Sequence, residues 1–154
     1  MQEKRSIEPA IAALQSITRD LLGLAVRSVD EVGEVSLPQM RLLFAIHDEG
    51  QVSCTQLAHV LGLNGSSVTR LADRLVASGH VSRHNGASRS VVELELTTHG
   101  HAVIDAVLAW RSRELRRTLT QLDAAALREL TSGLETLHAG LQGRFDDVHG
   151  PVPL

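Results

Sequence analysis

The chain has 154 residues, 43% apolar and 21% charged, enough for one core-forming domain or for a lobe joined to a dimerisation region. With no Tyr, one Trp and two Phe, it lacks the stacked rings of a single-strand nucleic-acid platform, and a net charge of −3 excludes a polycationic wrapper of nucleic acid. A single cysteine, Cys54, excludes an intramolecular disulfide, and no stretch approaches the roughly 18 apolar residues of a membrane span, so we expect a cytoplasmic protein with no membrane partner.

From Glu8 to Val32 the residues Ile11, Leu14, Thr18, Leu21, Ala25 and Val29 recur at steps of three and four, with Leu22 and Val26 widening the stripe. This spacing predicts a long amphipathic helix. After "VGEVS", the segment "SLPQMRLLFAIHDEG" starts a second helix: Ser36 is the N-cap, Gln39 completes a capping box, Pro38 sits in the first turn and Gly50 stops it. Its near-continuous apolar character predicts burial. "SCTQLAHVLGL" repeats the grammar with Ser53, Gln56 and Gly62, and Asn64 then caps a helix that runs to Gly79. Two short helices around a tight turn make a helix-turn-helix.

Next, Val81 to His84 and Val91 to Leu96 flank the turn-forming "NGAS", which predicts a hairpin. Thr97 or Thr98 caps a fifth helix with the stripe Ile104, Leu108, Leu115 and Leu119, and Asp123 caps a sixth with Leu127, Leu130, Leu134, Leu137 and Leu141. The long first and last helices carry more apolar face than a small lobe can cover, so we expect them to pack between subunits of a homodimer. The expected organisation is a dimerisation helix over residues 1–34, a lobe over 35–97, dimerisation helices over 98–149 and a tail over 150–154. The fold class is mainly α (α+β), with a two-stranded wing.

Charge is unevenly placed along this frame. Between Asn64 and Ser90 stand Arg70, Arg74, Arg83 and Arg89 against Asp73, net +3, whereas from Asp123 to His149 Arg128 and Arg144 face five carboxylates, net −3. On the helix after Asn64, the residues Val68, Leu71, Leu75 and Val76 are expected inward. Asn64, Ser66, Ser67, Thr69, Arg70 and Arg74 then lie on the other side or at the N-terminus. Short hydroxyls allow close approach to a DNA major groove, arginine can bridge a guanine, and a helix N-terminus attracts phosphate. Arg83, His84 and Arg89 on the hairpin suit the adjacent minor groove. Solvated helix residues alone would explain the hydroxyls and arginines, but their conjunction with a basic wing points to double-stranded DNA.

The order of a long helix, "LPQMRLL", "TQLAHVLGLNGSSVTRLADRLVASGHVSR", a wing, "LELTTHG" and two long helices resembles the MarR family of winged-helix transcriptional regulators over nearly the whole chain. The resemblance implies that "SSVTRLADRL" is the recognition helix and that "LTTHG" leads into a dimerisation helix. It also implies a homodimer on a pseudo-palindromic operator, commonly a repressor released by a small, often aromatic, ligand. One departure stands out: where the family's wing carries an Asp before or beside its arginine, this chain has Ser88, Arg89 and Ser90.

For an effector, Trp110 and Arg111 offer an aromatic wall and a cation to an acidic aromatic ligand, with Trp110 equally suited to dimer packing. Met40 and His47 share a helix face, where His47 reads either as a ligand contact or as an imidazole held by the helix C-terminus. Of the eight histidines only His80 and His84 have the H-x-x-x-H spacing, and they fall at a predicted hairpin strand rather than on a helix, so the spacing assigns no metal ligand and no cofactor. No nucleophile motif, phosphate loop or paired carboxylate is visible, which argues against an enzyme. Two alternatives to a ligand-released repressor stand beside it: a winged-helix interaction module without DNA affinity, and a metal-responsive regulator of the same fold.

Overall fold

A computed structural model describes residues 6–86 and 91–145. The elements are α1 (Glu8–Val32), α2 (Leu37–Glu49), β1 (Val52–Ser53), α3 (Cys54–Leu61), α4 (Gly65–Ala77), β2 (Val81–Asn85), β3 (Val92–Leu96), α5 (Thr98–Leu119) and α6 (Ala124–Phe145). The helix-turn-helix is α3 and α4. Gly62, with φ 62°, takes the left-handed conformation that ends α3 and turns the chain toward Asn64.

The capping boxes form as the sequence predicts. The Ser36 amide donates to Gln39 Oε1 at 2.9 Å, the Ser53 amide donates to Gln56 Oε1 at 2.9 Å, and Ser53 Oγ accepts from the Gln56 amide at 3.2 Å. These bonds satisfy amides that no helical carbonyl can reach. α2 is the centre of the lobe: Met40 and Leu42 to Ile46 are all buried and pack with Leu57, Val68, Ala72, Leu75, Leu94, Ile104 and Val107.

The β2–β3 hairpin forms the expected wing, and β1 joins it as a third strand in the antiparallel order β1-β3-β2, with Val52 opposite Leu94 and Arg83 opposite the same residue on the other side. At two residues, β1 is too short to show a period and lies against the capping box of α3. On α4, the core face is Val68, Ala72 and Leu75, while Leu71 and Val76 are only half-buried at its margins. Steps of four and three from Val68 lead to Ala72 and Leu75, and a small alanine there lets α4 pack closely.

α1 packs along α5, and α2 contacts α1, α3, α4, β3 and α5. Among the described residues, α6 makes no extended packing with any other element. Apolar side chains remain exposed along all three long helices: Ile17, Leu21 and Leu22 on α1, Leu108 and Leu115 on α5, Leu134 and Leu141 on α6. No described helix is long and apolar enough to cross a membrane.

Candidate nucleic-acid interface

The N-terminus of α4 is ordered by Asn64. Its Oδ1 accepts from the Ser67 amide at 2.8 Å and from Ser66 Oγ at 2.8 Å. Thr69 Oγ1 donates back to the Gly65 carbonyl at 2.8 Å, so its methyl is held in one rotamer. Asn64, Ser66, Thr69, Arg70 and Arg74 are exposed, and Ser67 is half-buried. Ser66, Arg70 and Arg74 follow one another at steps of four along a single face, backed by the fully buried Val68, Ala72 and Leu75. Among the described residues, none bonds to the Arg70 or Arg74 side chain, and both line an open groove with Pro38, Leu63, Ser67 and Leu71. A buried apolar backing with exposed cations in front of it suits contact with a polyanion.

The hairpin residues are placed differently from one another. Arg83 on β2 hydrogen-bonds Asp73 on α4 and so braces the helix against the sheet. His84 Nε2 lies 3.2 Å from Glu95 Oε2 on β3 and 2.9 Å from Ser82 Oγ. Arg89, with the Ser88 that departs from the family pattern, lies outside the described residues. Cys54, at the start of α3, is half-buried near Arg83, Asp73 and Thr69. Burial pushes its thiol pKa up, against the lowering by Arg83, so this cysteine is less reactive than a free thiol.

The residues considered for an effector do not gather around one opening. Met40 is 1% exposed, within the core. His47 is exposed at the end of α2 and meets His101 edge to face, with ring centroids 5.8 Å apart. Trp110 is half-buried. Arg111 reaches inward instead: its Nε donates to Ser28 Oγ at 2.8 Å and its guanidinium lies 5.4 Å from the Phe44 ring centroid. Burial lowers its pKa, and the contacts tie α5 to α1 and α2.

A further cluster was not visible in the spacing of the histidines. Glu34 from the α1–α2 connection, His80 from the α4–β2 turn and His99 from the first turn of α5 bring three ligand atoms within 4.8 Å of one another. They are far apart in sequence and on three different segments, so no motif within one helix could disclose them.

Residues 34–90 match the model of the MarR family. Two Bacillus subtilis proteins are similar: the uncharacterized HTH-type transcriptional regulator YfiV, 28% identical over 71% of this chain and 69% of its own, and the HTH-type transcriptional repressor MdtR, 29% identical over 71% of each. The crystal structure of RV1404 from Mycobacterium tuberculosis superposes with a TM-score of 0.80 at 27% identity, covering 90% of this chain and 97% of that one.

Proposed function

We propose that the chain, whose residues 34–90 match the MarR family model, is a winged-helix transcriptional regulator of that family that binds double-stranded DNA through α4 and acts as a homodimeric repressor. The observation that carries this reading is the exposed, unbraced pair Arg70 and Arg74 on a helix face whose N-terminus is already ordered by Asn64. In a helix-turn-helix the second helix enters the major groove N-terminal end first, where arginine reads guanine and hydroxyls meet phosphate. MdtR, named a repressor, supports the direction of regulation.

The long helices α1, α5 and α6 supply the homodimer contact in this reading, and residues 35–97 form the DNA-reading lobe. Two lobes related by a two-fold axis then address a pseudo-palindromic operator. Release by a small acidic or aromatic ligand follows the family pattern, with the half-buried Trp110 as the side chain that would meet it, since Arg111 is engaged by Ser28 and Phe44.

The test is selection from a pool of random DNA duplexes by the purified full-length protein, followed by sequencing. The reading expects an enriched inverted repeat, bound by the wild type and lost with Arg70→Ala. Recovery of a pool indistinguishable from the input would overturn it.

A further inference from the structure

We propose that Glu34, His80 and His99 form a binding site for a divalent ion of the zinc class, joining the helix-turn-helix lobe to the base of α5. The inference does not depend on DNA binding. It starts from His80, whose side chain is 4% exposed and whose Nε2 has no hydrogen-bond partner, with Glu34 Oε2 just beyond bonding reach at 3.6 Å. A buried imidazole nitrogen left without a donor or acceptor is costly unless something else satisfies it.

The other ring nitrogen has a partner able to hold the imidazole in the ligating tautomer. Ser78 Oγ donates to the Leu75 carbonyl at 3.3 Å and lies 2.7 Å from His80 Nδ1. With its proton directed at that carbonyl, the hydroxyl accepts from Nδ1–H, which leaves the lone pair on Nε2, facing Glu34. This is the supporting hydrogen bond that orients metal-ligating histidines.

The spacing fits an ion. Glu34 Oε2 is 3.2 Å from His99 Nε2 and 3.6 Å from His80 Nε2. A tetrahedron built on metal–ligand bonds of ~2.0–2.1 Å has edges of about 3.4 Å, so two of the three edges already have the required length. The third closes by a turn of His99, which now stacks on His80 with centroids 4.3 Å apart and is half-exposed and able to move. Two imidazoles and one carboxylate favour zinc over calcium or magnesium, and three protein ligands leave a fourth position for water.

The backbone around His80 is braced for such a role. Its carbonyl accepts from the Thr97 amide at 3.0 Å, and Thr97 Oγ1 donates to the Gly79 carbonyl at 2.6 Å. An ion here would therefore fasten the turn after α4 to both the α1–α2 connection and the start of α5.

The full-length protein, freed of metal by a chelator, is to be titrated with zinc against a chromophoric competitor and separately with cobalt, whose visible bands report tetrahedral coordination. The expected result is one ion per chain, tetrahedral cobalt bands and a raised unfolding temperature with zinc, since the unfolded chain has no assembled site. His99→Ala and Glu34→Gln alter exposed side chains. Each should weaken zinc binding by more than the about 10- to 100-fold that loss of a merely supporting group costs, while His138→Ala on α6 leaves it unchanged. No stoichiometric binding by the wild type, or equal affinity in all three variants, would overturn the site.

Discussion

Arg83 and Asp73 show how a charge count along a sequence differs from charge available at a surface. The four arginines between Asn64 and Ser90 count alike in the sequence, yet Arg83 is bound to Asp73 while Arg70 and Arg74 project from α4. The exposed polar face of α4 was legible because its hydroxyls and cations recur at helical spacing. The brace was not, since a bond between residues 10 positions apart depends on how β2 returns beside α4. With the face of α4 taken as the DNA contact, Arg70→Ala should cost about 1–3 kcal/mol of affinity and relax preference at the base it reads. If Arg74 meets phosphate, Arg74→Ala weakens all sequences alike and lowers the salt slope by about one contact. Fluorescence anisotropy on matched and mismatched duplexes across a salt series separates these results, and unchanged affinity in both variants would refute the assignment. Cys54 yields a prediction independent of DNA: its raised pKa leaves little thiolate at neutral pH. Alkylation followed by mass spectrometry should be slower in the folded protein than in urea at the same pH, and equal rates would contradict the burial argument.

The "LTTHG" segment illustrates what an element's ends contribute. Thr97, rather than Thr98, caps α5, its Oγ1 accepting from the Gly100 amide at 3.1 Å. The resemblance to a family pattern drew attention to the glycine, and the structure supplies the reason for it. A Cβ on Gly100 would lie 2.2 Å from the His80 carbonyl oxygen, so only glycine lets α5 approach the turn between α4 and β2 this closely. Gly100→Ala must push the two apart and break the bonds from Thr97 to His80 and Gly79. We expect a loss of about 1–3 kcal/mol of stability, in the range of overpacking substitutions, read as a lower urea midpoint, and a midpoint equal to wild type would show that this approach is not required. Helix boundaries were similarly legible from Ser36 with Gln39 and Ser53 with Gln56, where cap chemistry is local. β1 was not, because a two-residue strand exists only through its pairing with β3.

The whole molecule presents apolar surface that one chain does not cover. Leu134 is 53% exposed, Leu22 46% and Leu141 43%, and α6 finds no extended partner among the described residues. The sequence made the excess visible as stripes of leucine and isoleucine, but a stripe cannot say which helix it meets; the structure narrows this by packing α1 along α5 and leaving α6 apart. Exposed apolar residues spread over three long helices are costly in water at about 25 cal/mol per Å² of surface that could be buried, and a second copy of the chain offers the matching surface with two-fold symmetry. The expected species is therefore a dimer, about twice the 16.6 kDa of the chain, stable at micromolar concentration. Charges set into the surface should oppose it: Leu22→Glu on α1 with Leu134→Glu on α6 removes apolar contact and introduces carboxylates that must be desolvated. Because both positions are exposed, the lobe core around α2 is untouched and the circular dichroism of the variant should stay helical. Operator affinity should nevertheless fall, since two half-sites are then no longer held by one linked particle. Analytical ultracentrifugation of wild type and variant decides the matter, and a wild type that sediments as a monomer at micromolar concentration would refute the dimer.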